Sequence, residues 1–237
     1  IMALPKLNTP TYELVLPSTG EKVKYRPFLV KEQKVLMIAK ETENYEDIAN
    51  AVGNLVHSCT FEKINAETSP MFDIEYIFMR VRGKSIGEKI QLSVICPDDE
   101  KTRVPVTVNL LDINVHMTAD HTNEINITDN VKMFMRYPIL KDMGNGFLDL
   151  NSAAKTFSIM EKCVDSVMYD DKTFNKIDMT DKELTDFIDS MTNEQIERVV
   201  DFFETMPKIR HAVNVTNPNT KVKSEVVLEG LENFLEY

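Results

Sequence analysis

The spacing of apolar residues switches between two periods along this chain, and this switching limits the possible folds more than any other feature. In the first half, apolar residues recur three and four positions apart, which is typical of an amphipathic helix. After Gly83 and Gly87 they alternate with polar residues, which is typical of a half-buried strand. The second half repeats this order. We therefore predict an α+β fold that combines helical segments with β-hairpins.

Three segments predict β-hairpins, because two alternating runs flank a cluster of turn residues in each. With their turns in parentheses, they are Thr11–Phe28 (Pro17–Gly20), Ile90–Val108 (Cys96–Asp99) and Ala212–Leu228 (Asn217–Asn219). The second and third hairpins each follow helical segments and each turn contains a proline. Since polar turns with proline are common, this likeness is either a coincidence or the trace of an internal duplication of a helices-plus-hairpin unit.

Helical spacing predicts six helical segments. They cover residues 30–40, 45–59 and 71–81, then a segment with the apolar stripe Phe157, Met160, Val164, Val167 and Met168, and two segments that begin after Thr180 and Thr192. Each of these two threonines precedes a Glu or Gln by three positions, which is the spacing of a capping box. Residues 71–81 are apolar on nearly every side and are expected to be buried. Residues 113–136 show strand-like alternation around Ile125–Ile127, but we assign no order of elements to them.

Two glycines, Gly144 and Gly146, make residues 142–149 the best candidate linker. We therefore predict two domains. Residues 2–141 would contain the first hairpin, three helices and the central hairpin, and residues 150–237 would contain the helical region with the C-terminal hairpin. A length of 237 residues is compatible with this division.

The charge balance excludes some partners. The chain has 27 basic and 38 acidic residues and a net charge of −11, so its field would repel phosphates and we predict no nucleic-acid partner. No apolar run approaches the roughly 20 residues that span a bilayer, so no membrane partner is predicted. The three cysteines are an odd number, which favours a reduced intracellular protein over a disulfide framework.

Residues 83–87, Gly-Lys-Ser-Ile-Gly, match two functional patterns and meet the structural requirements of neither. A nucleophile elbow with Ser85 needs a strand before it and a helix after it, whereas here the order is reversed. A Walker A loop needs a glycine five residues before Gly83, where Phe78 stands. We instead expect a helix C-terminus, with Gly83 as the left-handed cap residue.

We predict no metal site, no cofactor and no catalytic residue. A zinc knuckle that begins at Cys96 lacks its second cysteine, because Asp99 stands there. A calcium-binding loop that begins at Asp171 would need Gly and Glu where Lys176 and Lys182 stand.

The first hairpin is the element that we predict to bind a partner. One face is apolar and has to be covered, since an isolated hairpin is only marginally stable in water. The return strand carries three basic residues on one face, cationic in an acidic chain, and we expect it at a sheet edge where lysines discourage self-pairing. The hypothetical partner-binding residues are Tyr12, Leu14, Lys22, Lys24 and Arg26.

Three sequence blocks, at both ends and in the middle of the chain, follow the order found in one known family. They are Tyr12–Leu14 with Leu16–Gly20 and Tyr25–Glu32, Phe72–Phe78 with Arg82–Glu88, and Leu228–Phe234. On these blocks the chain resembles the T4-type bacteriophage baseplate hub assembly proteins over its whole length.

The resemblance implies a protein made in the host cytoplasm that catalyses no reaction and binds other hub or tail proteins while the hub of a contractile tail assembles. It leaves open whether the protein stays in the virion baseplate and whether it forms an oligomer within the hub. Relatives can carry Cys-x-x-Cys pairs in turns equivalent to residues 96–99 and 217–220, and this sequence keeps only Cys96. The alternative is a chaperone of the tail tape-measure protein. A hydrolase that uses Ser85 is the third and least favoured interpretation.

Overall fold

The computed structural model describes residues 7–142, 153–230 and 234, and the side chains of residues 153–155 lie outside this description. Its α-helices are α1 (Val30–Glu41), α2 (Tyr45–Cys59), α3 (Met71–Ile86), α4 (Ala153–Cys163), α5 (Asp181–Asp189) and α6 (Asn193–Thr205). Its strands are β1 (Tyr12–Val15), β2 (Lys22–Tyr25), β3 (Lys89–Ile95), β4 (Arg103–Asn109), β5 (Asn114–His116), β6 (Glu124–Thr128), β7 (Val131–Met135), β8 (Val164–Tyr169), β9 (Lys172–Asn175), β10 (Lys208–Thr216) and β11 (Lys223–Glu229). The predicted α+β class is confirmed.

All three predicted hairpins are confirmed, since β1 pairs with β2, β3 with β4 and β10 with β11, each antiparallel. The helix α2 has the predicted bounds, and α3 buries residues on every side. Thr180 and Thr192 each form the predicted capping box at the start of α5 and α6. Of the described residues, no helix combines the length and the apolar character needed to cross a membrane.

The three hairpin tips share one turn geometry. In each, a backbone amide donates to the carbonyl oxygen four residues earlier, and the donor residue has a positive φ. The donors and acceptors are Gly20 and Leu16 (2.9 Å, φ 72°), Glu100 and Cys96 (3.0 Å, φ 54°), and Lys221 and Asn217 (2.9 Å, φ 67°). Because the first hairpin has this turn too, the likeness between the second and third is not by itself evidence of a duplication.

One predicted helix is wrong in its second half. The stripe from Phe157 predicts a helix that continues through Val167 and Met168, but α4 ends at Cys163 and Val164–Tyr169 is the strand β8. This strand lies between β7 and β9 in a four-stranded sheet with the order β6-β7-β8-β9. Its valines fit a strand as well as a helix, and long-range pairing with β7 decides between the two. The unassigned residues 113–136 supply β5, β6 and β7.

The expected cap at Gly83 is also wrong. Gly83 lies inside α3, and the glycine with a positive φ is Gly87, at 120°. A Cβ added to Gly83 would lie 3.5 Å from Cδ2 of Leu111, which is an ordinary van der Waals distance, so neither the packing nor the backbone requires glycine at this position.

The chain forms two compact units, residues 1–116 with 208–237 and residues 117–207. The predicted boundary at 142–149 differs from this division and lies mostly outside the described residues. The difference arises because β10 pairs with both β11 and β5, which joins the end of the chain to the first unit. Such pairing leaves no trace in local composition.

The first unit is built around α3, whose largest fully buried side chains include Ile74, Ile77 and Phe78. It contains α1, α2, the two hairpins β1–β2 and β3–β4, and a three-stranded sheet with the order β11-β10-β5. The second unit consists of the four-stranded sheet with α4, α5 and α6. In it, α6 packs on the edge strand β6, and Arg198 of α6 donates to the carbonyl oxygen of Asn126 at 3.0 Å.

Candidate functional site

The β1–β2 hairpin buries one face, as predicted. Leu14 and Leu16 are 7% and 6% exposed, and Leu14 lies opposite Val23, which is fully buried. At the tip, the backbone amide of Ser18 donates to Asp73 of α3 at 3.1 Å, and the Ser18 hydroxyl donates to the same carboxylate. The hairpin is thus anchored on its own helix α3, and Leu14 acts in this anchoring rather than as a surface contact.

The opposite face of the hairpin is exposed, and its two β2 positions are basic, whereas Glu13 and Val15 occupy it on β1. Lys22 and Lys24 are both exposed on β2, and the Lys22 ammonium lies 3.3 Å from Oε1 of Glu13 on β1. Both side chains of this ion pair are well solvated, so it contributes little to stability. Within the described residues β1 and β2 form a sheet of two strands, which leaves an open edge on each. This geometry supports the predicted edge strand.

Tyr12 lies at the end of the hairpin and is partly buried. Its ring centroid is 5.6 Å from that of Tyr25, and the Lys84 ammonium lies 5.3 Å from the Tyr12 centroid. Burial raises the pKa of the Tyr25 phenol. The Lys84 ammonium also binds Glu88 at 2.6 Å. Tyr12 therefore links the hairpin to the last turns of α3 and keeps part of its ring at the surface.

Arg26 does not belong to the basic face. The strand β2 ends at Tyr25, and the Arg26 backbone amide donates to the carbonyl oxygen of Cys59 at 2.9 Å. Its guanidinium donates to Glu32 at 3.0 Å, and the two side chains are only 13% and 9% exposed. The structure thus brings Lys22 and Lys24 together at the surface and places Arg26 in an interior ion pair, which the alternation of the sequence does not reveal.

Ser85 has a structural environment. Its hydroxyl donates to the carbonyl oxygen of Val81 at 2.6 Å and accepts the backbone amide of Phe28 at 2.9 Å. These bonds tie the segment after β2 to the last turn of α3. Ser85 lies within that helix rather than at a strand-to-helix turn, in agreement with the topology argument from the sequence.

The tips of the β3–β4 and β10–β11 hairpins contact each other through polar groups. The Asn217 side chain is fully buried and donates to both carboxylate oxygens of Asp98 at 3.1 Å, and the Thr220 hydroxyl donates to the same carboxylate. Hydrogen bonds from the Thr102 side chain and backbone hold the pKa of Asp99 well below its usual range. Among the described residues no group of three or more His, Cys, Asp or Glu could hold a metal ion. Each turn is identifiable in the sequence, but the contact between them is not.

Comparison with known protein families gives a match over nearly the whole chain. The family model described as T4 bacteriophage base plate protein matches residues 9–236, which is nearly the whole chain. No curated protein and no solved structure matches significantly.

Proposed function

We propose that this chain, which belongs to the T4 bacteriophage base plate protein family, binds other hub proteins during assembly of the baseplate hub and catalyses no reaction. Membership of the family makes it a bacteriophage baseplate protein. The hub-binding role, its action in the host cytoplasm during assembly and the absence of catalysis are the steps that the proposal adds.

The exposed basic face of β2 carries the proposal. Lys22 and Lys24 stand out from a chain with a net charge of −11, on a strand whose other face is anchored on α3. An open strand edge offers backbone donors and acceptors to a second chain, and flanking charges select which chain pairs with it. A hub protein with an extended acidic segment would satisfy both features.

Two arrangements support a binding role over a hydrolytic one. The Ser85 hydroxyl is engaged with Val81 and Phe28, and it serves to hold the segment that leads out of the hairpin. The polar contacts of the hairpin tip with Asp73 likewise serve to fix its position. A rigidly held strand loses little conformational entropy when a partner binds.

The test is the double variant Lys22→Glu, Lys24→Glu, co-expressed with the hub proteins of the same phage. Arg26 is left intact because its ion pair with Glu32 is interior. Reversal of both exposed charges is expected to weaken co-purification with a hub protein about tenfold or more, if the two lysines face carboxylates. Far-UV circular dichroism should show an unchanged fold.

The matched control is Lys172→Glu, Lys223→Glu, which makes the same charge change at two exposed lysines on β9 and β11. It should co-purify and support tail assembly like the unmodified protein. Equal co-purification of both double variants would refute the β2 contact. Recovery of the tape-measure protein in place of hub proteins would favour the chaperone alternative.

A further inference from the structure

The outer face of α1 is apolar and exposed. Val30, Met37 and Ile38 are 65%, 50% and 63% exposed. Since each residue advances about 100° around a helix, these side chains lie opposite Leu36 and Ala39, which are buried. The helix packs against α2 within the first unit. It therefore has a second apolar face that the described part of the chain leaves exposed.

Charges on this outer face change sign along the helix. Lys31 and Lys34 are exposed in the N-terminal half, whereas Glu41 ends the helix and exposed Glu43 follows it. Lys34 lies one turn after Val30, and Glu41 lies one turn after Met37, so both belong to the apolar stripe. The stripe is basic at its start and acidic at its end.

We infer that this face binds the same face of a second copy of the chain, with the two α1 helices antiparallel about a two-fold axis. A two-fold contact requires a surface that is complementary to itself. In this arrangement the two α1 helices cross at the level of Leu36. Lys31 of one copy then lies opposite Glu41 of the second copy, and Lys34 lies opposite Ile38 of the second copy. Each charged pair occurs twice, and the stem of Lys34 covers apolar surface.

The parallel arrangement lacks this complementarity, because it places Lys34 beside Lys34 and Glu41 beside Glu41. The antiparallel arrangement also opposes the two helix dipoles. The inference is independent of the hub binding proposed above, which uses β2.

Sedimentation velocity of the full chain at increasing concentration tests the inference. A species of twice the 27.2 kDa chain mass is expected to form reversibly. Ile38→Lys places a second cation opposite Lys34 and is expected to raise the dimer dissociation constant about tenfold or more. Because Ile38 is 63% exposed, the variant should remain folded. The control Ile177→Lys makes the same change at an isoleucine that is 91% exposed, and it should not alter the constant.

A charge swap identifies the orientation. Lys31→Glu should weaken the dimer, and the combination Lys31→Glu, Glu41→Lys should restore it, since both pairs then reform with reversed sign. Because the Lys31 ammonium also lies 3.5 Å from Oε1 of Glu32 in its own chain, far-UV circular dichroism has to show that both variants are folded before their dissociation constants are compared. A chain that stays monomeric at all concentrations, or a dimer that Ile38→Lys and Ile177→Lys affect equally, would overturn the inference. A double variant as weak as Lys31→Glu would overturn the antiparallel contact.

Discussion

Arg26 in the first unit and Arg136 in the second make nearly the same set of contacts. Each follows the second strand of a hairpin, and each donates its backbone amide to the carbonyl oxygen of a buried cysteine that ends a helix. The distances are 2.9 Å from Arg26 to Cys59 and 2.8 Å from Arg136 to Cys163. The guanidinium also donates to the carbonyl oxygen of the next residue in both cases, at 3.0 Å and 3.1 Å.

Each guanidinium binds a carboxylate six residues later. This is Glu32 at 3.0 Å in the first unit and Asp142 at 2.6 Å in the second. Each carboxylate also accepts the backbone amide three residues before it, from Leu29 at 2.6 Å and from Ile139 at 3.0 Å. The carboxylate therefore starts a helical turn in both units while it neutralises the arginine.

The two segments are also similar in sequence, since Leu29-Val30-Lys31-Glu32 corresponds to Ile139-Leu140-Lys141-Asp142. We interpret the two arginine clusters as support for the hypothesis of an internal duplication. They also suggest that the repeated unit begins with a hairpin, ahead of its helices. The shared turn at the hairpin tips adds no support, because it occurs in all three hairpins.

The two clusters differ mainly in burial. The Arg26 side chain is 13% exposed and that of Arg136 is 37% exposed, whereas the carboxylates are similarly buried, at 9% and 10%. Water can therefore replace part of the hydrogen bonding that Arg136 provides to the Asp142 carboxylate. It can replace much less of the hydrogen bonding that Arg26 provides to the Glu32 carboxylate. The same contacts should therefore matter more in the first unit.

Replacement of the two cluster arginines, Arg26 and Arg136, tests this difference most directly, and Arg26→Met should cause the largest loss of stability. Arg26→Met leaves the buried Glu32 carboxylate without its main partner and is expected to lower the free energy of unfolding by about 3 kcal/mol. Arg136→Met should lower it by about 1 kcal/mol, because Arg136 is more exposed. Urea unfolding followed by far-UV circular dichroism measures both, since the chain has no tryptophan to report by fluorescence.

The matched control for both arginine variants is Arg210→Met. Arg210 binds Glu229 at 2.7 Å between β10 and β11, and both side chains are more than 40% exposed. The loss should be below about 1 kcal/mol. Equal losses for Arg26→Met and Arg136→Met would show that burial does not distinguish the two clusters.

The sequence predicts the elements around these clusters better than the clusters themselves. The bounds of α2 follow from helical spacing, because one apolar face packs on the core along the whole helix. The alternation of Lys22, Lys24 and Arg26 assigns all three to the basic face. The strand ends before Arg26 for a long-range reason, its amide bond to Cys59, which local alternation does not encode.

The same limit applies to β8 and to the unit boundaries. Val164 and Val167 suit either period, and pairing with β7 makes them a strand. The exposed lysines of the candidate site were predictable, since position in a two-stranded hairpin determines which face they occupy. The repeat of aliphatic, aliphatic, Lys and acid after each arginine is the signal that could have revealed the two clusters.

Acid should weaken the cluster of Arg26 and Glu32, and the loss of unfolding free energy should be smaller than the loss expected for Arg26→Met. Burial alone would raise the pKa of Glu32, but hydrogen bonds from Arg26 and the Leu29 amide outweigh it and hold the pKa below its usual value. A carboxyl group with a lowered folded-state pKa stabilises the fold above its unfolded pKa of about 4.3, and this stabilisation is lost as the pH falls through the folded value. Stability measured below about pH 4.3 should therefore fall less steeply in Glu32→Gln than in the unmodified protein.

The control for the acid experiment is Glu225→Gln, at an exposed carboxyl group on β11. Its stability should follow the pH profile of the unmodified protein. If Glu32→Gln follows that profile too, the ion pair with Arg26 does not hold the Glu32 carboxyl in its charged form.

The reactivity of the two cysteines should show the smallest effect, a change in labelling rate with little change in fold. Burial raises the pKa of Cys59 to about 11 and that of Cys163 to about 12, so both thiols stay protonated and unreactive at neutral pH. Arg26 lies 3.7 Å from the Cys59 sulfur and shields it, and Arg26→Met should therefore speed labelling of Cys59 by a thiol reagent while Cys163 keeps its rate. Mass spectrometry of labelled peptides assigns each site, and acceleration of both cysteines by Arg26→Met would mean that labelling reports global unfolding and not the local cluster.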